Sequence, residues 1–178
     1  MLTGVAEHAR QDVGKVSEPK AQALFETTAE VCRGLATAFV QSYISFTRFK
    51  GTIRGLHYQV PPAAEAKLVR CVRGAVLDVT LDLRPESPTY MKYSAVELTA
   101  NNRLGMYIPP LCAHAIQTLS DDVEYLNQST ALYNPEYEKG LRYDDPALAI
   151  AWPLPVSELS DKDAGWAPYR PPVLSPGP

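Results

Sequence analysis

The chain has 178 residues and a mass of 19.6 kDa, with 46% hydrophobic and 21% charged residues, which suits one domain with a real core and excludes a disordered chain. Lys plus Arg number 17 against 20 Asp plus Glu, a formal charge of −3, which argues against a dedicated nucleic-acid binder. No apolar run reaches the roughly 18–20 residues that cross a bilayer, so no membrane partner is expected.

Residues 1–20 are polar, carry Ser17-Glu18-Pro19-Lys20, and lack the apolar core of a signal peptide; they read as a loose N-terminal arm. Val31, Leu35 and Phe39 recur at helical spacing, so the spacing predicts a helix over 27–38, weakened by Gly34. From Phe39 the pattern changes to short strands over 39–46, 52–60, 67–72 and 75–84. In the last of these Leu77, Val79, Leu81 and Leu83 alternate with Asp78, Thr80, Asp82 and Arg84, the period of a half-buried strand. Further strands are expected over 90–98, 105–109, 115–119 and 123–130, with Asn101-Asn102 and Asp121-Asp122 as turns. Residues 133–145 read as a long surface connection, and 166–178 as a loose Pro-rich tail. Sixteen prolines and ten glycines fit many short strands joined by turns. One domain over 21–165, a β-sandwich or jelly roll, is expected. Cys32, Cys71 and Cys112 form no CxxC pair, so reduced thiols and a cytoplasmic location are expected.

Three histidines limit the chemistry. His8 lies in the polar arm, whereas His57 and His114 lie in strand-like sequence. A strand histidine is often structural, satisfied by a neighbouring backbone group. A metal site is disfavoured, because no second ligand follows His57 at HxH spacing; neither metal nor cofactor is expected. Arg54, Lys67, Arg70 and Arg73 suit either a solvated face or a charged barrel mouth. In the second case a His oriented by a carboxylate can take a proton beside a carbonyl, while Lys or Arg stabilises the enolate. Spacing leaves Glu158, Asp161 and Asp163 all open as the orienting carboxylate.

The segments Arg54-Gly55-Leu56-His57-Tyr58-Gln59, Lys67-Leu68-Val69-Arg70, Asp78-Val79, Asp82-Leu83-Arg84 and Ser87-Pro88-Thr89 then form a recognisable series. With Ile108-Pro109, Ala113-His114, Pro135, Arg142-Tyr143-Asp144-Asp145-Pro146, Trp152-Pro153 and Ser160-Asp161-Lys162-Asp163, the chain resembles the dTDP-4-dehydrorhamnose 3,5-epimerase family from residue 39 to 163. The resemblance implies an all-β fold: a metal-independent, cupin-type double-stranded β-helix, or jelly roll, with short peripheral helices. It also implies a homodimer with crossing N-terminal strands, and a nucleotide-linked 4-keto-6-deoxysugar as substrate. Carried over by motif, His57 is the base, Asp163 its partner, and Lys67 the residue that holds the enolate. Arg54 stands beside the base, His114 is the second active-site histidine, and Asp78 a carboxylate within the barrel. Gln41 lies near the substrate and Tyr133 at the edge of the site.

The chain departs from the family pattern around the ligand. The family's catalytic Tyr falls on Asn127, and an amide is a poor proton donor. Tyr125 shares that strand face, but one strand step of about 6–7 Å away. The usual Asn two residues after Gln41 is Tyr43. An early segment whose Arg contacts nucleotide phosphates is degraded to residues 20–26, with Ala21 for the Arg and Glu26 as the remaining polar candidate. Asn127 and Glu26 join the expected substrate-binding set. Two alternatives remain: the same base in a different isomerisation, elimination or tailoring reaction, and a non-catalytic ligand-binding homologue.

Overall fold

A computed structural model describes residues 40–170, together with residues 7, 8, 11 and 15. The helix expected over 27–38, most of the arm and residues 171–178 lie outside the described residues. Within them, β1 (Gln41–Thr47), β2 (Ile53–Gln59), β3 (Lys67–Arg73), β4 (Ala75–Asp82), β5 (Tyr93–Thr99), β6 (Gly105–Ile108), β7 (Cys112–Thr118), β8 (Val123–Ser129) and β9 (Glu138–Gly140) are followed by the short helix α1 (Asp161–Ala164).

The strands form two antiparallel sheets, β1-β8-β3-β6 and β5-β4-β7-β2-β9. Except at the β4–β5 hairpin, each strand passes the chain to the other sheet, so nearly all pairing is non-local. This is the cupin-type jelly roll, all-β with a short peripheral helix.

Two apolar clusters hold it together. Val69, Cys71, Val76, Ile108, Ile116, Val123 and Tyr125 pack between the sheets. Leu56, Val79, Leu81, Ala113 and Ala115 pack on the outer face of the five-stranded sheet. That outer face is covered by the later chain, through Leu141, Leu148, Trp152 and Tyr169. The alternation in β4 reads by itself as a half-buried strand, but in the fold both of its faces are covered. Its leucine row faces the covering segment, and its polar row, including fully buried Asp78, faces the barrel interior. β4 is covered on both faces, so its polar row is not a solvent face.

Two expectations are corrected. The surface connection over 133–145 contains β9, which pairs with β2 from His57 to Gln59. Residues 166–170, the start of the expected loose tail, are packed. The Tyr169 N–H donates to Asp145 and its hydroxyl meets that of Tyr90, and Trp166 lies against Gly140. A Cβ on Gly140 would fall 2.0 Å from the Trp166 ring, so only glycine permits that contact.

Candidate active site

Where the sheets part, a cavity of about 780 Å³ is lined from both sides. Tyr43, Ser45, Lys67, Tyr125 and Asn127 come from the four-stranded sheet, and Arg54, His57 and His114 from the five-stranded one. Period two explains the first group. On β1, on β3 as far as Cys71, where the register shifts, and on β8 the odd-numbered residues point inward, so Lys67 continues the row of Val69 and Cys71, and Asn127 the row of Val123 and Tyr125.

His57 presents Nε2 to Asp163 Oδ1 at 2.5 Å. The other Asp163 oxygen accepts the Gly55 N–H at 3.2 Å. Ser160 caps α1 by accepting the Asp163 N–H at 3.1 Å, which fixes the carboxylate on the first turn. Spacing left three carboxylates open; the fold brings Asp163 to His57, leaves Asp161 exposed and uses the Glu158 carbonyl to accept from Ile53. Burial by itself raises the Asp163 carboxyl, but the hydrogen bond and charge of His57, with the Gly55 N–H, outweigh it and hold it below its usual value. An ionised Asp163 can only accept, so Nε2–H is the donor, and in the neutral imidazole Nδ1 carries the lone pair. The edge of Trp166 packs on the imidazole, centroids 6.3 Å apart.

The lowered Asp163 value makes a pH prediction. A carboxyl lowered in the folded state stabilises the fold above the unfolded value of about 3.9, and that stabilisation fades as pH falls through the folded value. Urea midpoints of the wild type and Asp163→Asn are expected to differ at pH 7 and converge below about pH 4. A gap that stays constant down to pH 3 would contradict the ionised, His-paired carboxylate.

Lys67 reaches the cavity from the facing sheet, with Nζ 3.0 Å from Glu65 Oε1. Glu65 also accepts from Gln59 at 3.0 Å and Ser129 at 2.6 Å. Sequence reading missed Glu65, which lies in the connection between β2 and β3. Arg54 stands at the mouth, exposed, its guanidinium donating to Thr47 Oγ1 at 2.9 Å and the Phe46 carbonyl at 3.2 Å. Arg70 and Arg73 point out to solvent, as a charged face does.

A second histidine–carboxylate pair lies beside the first, since His57 and His114 are cross-strand partners. His114 Nε2 is 3.1 Å from Asp78 Oδ2. Tyr125 donates its hydroxyl to the same oxygen and stacks on His114 with centroids 6.2 Å apart. Burial, then the charge and hydrogen bond of Asp78, push the Tyr125 phenol far above its ordinary value.

The remaining expected residues form the rim. Asn127 lines the cavity and donates to the Tyr125 carbonyl at 3.2 Å. Gln41 accepts the Tyr133 N–H at 3.0 Å, and the Tyr133 hydroxyl donates to Glu138 at 2.8 Å. Glu138 also accepts from Lys162 at 2.8 Å. These groups line a side hollow of about 340 Å³ that shares Tyr43, His57, Lys67, Asn127 and Lys162 with the main cavity. Glu138 and Lys162 were missed, because their place depends on β9 and α1 meeting at the site. Glu26 lies outside the described residues.

Fold and site together define a cupin-type jelly roll whose interior aims a histidine–carboxylate pair and a lysine, from facing sheets, into one cavity. The sequence profile of dTDP-4-dehydrorhamnose 3,5-epimerase matches residues 9–170. The dTDP-4-dehydrorhamnose 3,5-epimerase of Sinorhizobium fredii is 44% identical over 126 residues, 70% of this chain and 65% of that protein. The Shigella flexneri protein of the same description is 42% identical over 130 residues, 73% of this chain and 71% of that one. The crystal structure of the Bacillus anthracis dTDP-4-dehydrorhamnose 3,5-epimerase, with TDP and PPi bound, superimposes with a TM-score of 0.72 at 35% identity, covering 79% of this chain and 81% of that one. The chain belongs to the dTDP-4-dehydrorhamnose 3,5-epimerase family, and so to the isomerases.

Proposed function

We propose that the chain epimerises a nucleotide-linked 4-keto-6-deoxysugar at one or both carbons beside its carbonyl. The observation that carries this reading is the His57–Asp163 pair at 2.5 Å, facing Lys67 from the other sheet across a single cavity. The 4-keto group acidifies the C3 and C5 protons. His57 removes one through its free nitrogen, with Asp163 holding the ring and stabilising the imidazolium. The electrons of the broken C–H bond form the enolate, whose oxygen Lys67 stabilises and Arg54 supports from the mouth. Gln41, His114 with Asp78, Asn127 and Tyr133 bind and orient the sugar nucleotide, and Glu26 completes that set from the preceding segment.

The test is deuterium exchange. The protein is incubated with dTDP-4-keto-6-deoxyglucose in heavy water, and C3 and C5 are followed by NMR and mass. Exchange with inversion at either carbon is the expected result. No exchange at either carbon would refute this activity and favour another substrate or a non-catalytic homologue.

The proposal includes a cytoplasmic homodimer. Free thiols at Cys71 and Cys112 support the location. The outer face of the four-stranded sheet supports the dimer: Ile44 is 58% exposed, Phe46 53%, Val72 38% and Tyr107 60%, a patch that a second copy would cover. Light scattering is expected to give a dimer mass for the wild type and a monomer mass for Ile44→Lys/Tyr107→Lys. A wild type that runs as a monomer at micromolar concentration would contradict it.

A further inference from the structure

Inversion at carbon needs a proton delivered to the face opposite the one from which it was taken. His57 works from the five-stranded sheet, so the donor must reach in from the four-stranded sheet. Among the described residues that line the cavity from that sheet, Tyr43, Ser45, Lys67, Tyr125 and Asn127 are the choices. Lys67 is committed to the enolate oxygen and Glu65. A serine hydroxyl and a neutral amide hold their protons too tightly to act as acids near neutral pH. Two phenols remain, and their settings differ. Tyr125 is 2% exposed and spends its hydroxyl on Asp78, whereas Tyr43 is 50% exposed. Among the described residues, the Tyr43 hydroxyl makes no hydrogen bond. A phenol that gives up a proton each turnover must regain one from water, and only Tyr43 has that access.

The geometry points to Tyr43 as the proton donor on the face opposite His57; this rests on the epimerase reading above. Its position explains how the site works without a phenol at residue 127. Tyr43 on β1 and Asn127 on β8 are direct cross-strand partners, and both line the main cavity and the side hollow. Directly paired side chains share a sheet face with Cβ atoms about 4.5–5.5 Å apart. A phenol rooted at 43 can therefore enter the space that one rooted at 127 would occupy. In the family pattern, residue 127 is the Tyr and residue 43 the Asn; here the two residue types are exchanged across one strand pair.

The proton count closes. His57 takes H⁺ from carbon and the C–H electrons become the enolate. The enolate carbon then takes H⁺ from the Tyr43 hydroxyl, forming C–H on the other face as O–H breaks. The phenolate regains a proton from water, and His57 returns its own to solvent. Burial and the Glu65 charge raise the Tyr43 phenol, with Arg54 opposing them, so the hydroxyl stays protonated at neutral pH until the enolate forms.

The experiment compares wild type, Tyr43→Phe and Tyr125→Phe in heavy water with dTDP-4-keto-6-deoxyglucose, reading exchange and inversion separately at C3 and C5. Tyr43→Phe is expected to exchange its α-proton within about tenfold of wild type, because His57 still works, while inversion falls about 10²–10⁴-fold. Inversion by Tyr43→Phe within threefold of wild type overturns the assignment. So does loss of exchange and inversion together in this variant, or loss of inversion in Tyr125→Phe alone. Absence of exchange in the wild type refutes the epimerase reading itself, and the assignment falls with it.

Discussion

His57→Asn is expected to lose proton exchange at C3 and C5 by about 10²–10⁴-fold while still binding dTDP within threefold of wild type. Asparagine keeps a donor for Asp163, so the buried carboxylate is not left unpaired, and the loss reports chemistry rather than folding. Among the described residues, the carboxylates beside Lys67 and His114 are not free to replace the imidazole. Glu65 is bound by Lys67, Gln59 and Ser129. Asp78 is fully buried and bound by His114 and Tyr125. His114 is the serious competitor, being a cross-strand neighbour with its own carboxylate, but its side chain is 10% exposed against 25% for His57. The measurement is deuterium wash-in by NMR, with dTDP affinity by calorimetry. Exchange that survives His57→Asn and disappears in His114→Asn would give the base role to His114.

Gly55→Ala is expected to destabilise the fold by about 2–6 kcal/mol, combining backbone strain of about 1–3 with overpacking of about 1–3. Gly55 has φ +113°, where L side chains are strained, and an added Cβ would lie 2.4 Å from the His114 carbonyl and 2.8 Å from the Ala115 Cα. These are backbone atoms of β7, which cannot swing aside as the end of a side chain can. The register between β2 and β7 already shifts between Arg54 and His57. Gly55 therefore lets the two histidine strands approach closely, and its N–H goes to Asp163. Urea unfolding measures the loss, and a midpoint within 0.3 M of wild type would show that β7 can give way. Any folded Gly55→Ala protein is expected to lose activity as well, since His114 and Asp163 are both displaced.

Much of this site was legible before any coordinates. The strand carrying Arg54 and His57, the strand opened by Lys67 and the alternating strand through Asp78 all stand where they were expected. The pairing of His57 with Asp163 was expected from the resemblance carried by Arg54 to Gln59 and Ser160 to Asp163, whereas spacing alone left Glu158 and Asp161 open as well. Glu65 was missed because it lies between two strands in a proline- and alanine-rich stretch with no periodicity of its own. β9 was missed because three residues are too few to show a period, and it exists only by pairing with β2.

The sequence by itself determined which residues alternate, where turns interrupt them, and which side chains therefore share a strand face. Those are local matters, settled by backbone geometry and turn chemistry within a few residues. It did not determine which face becomes the interior. In β4 the apolar row packs under the later chain and the polar row faces the barrel interior, because residues 141–169 return to cover the sheet from outside. Nor did it show that Tyr43 and Asn127 are partners, or that His57 and Lys67 face one another from opposite sheets. Those relations join residues far apart in the chain. Only burial of two apolar layers at once, with every interior strand paired, selects them.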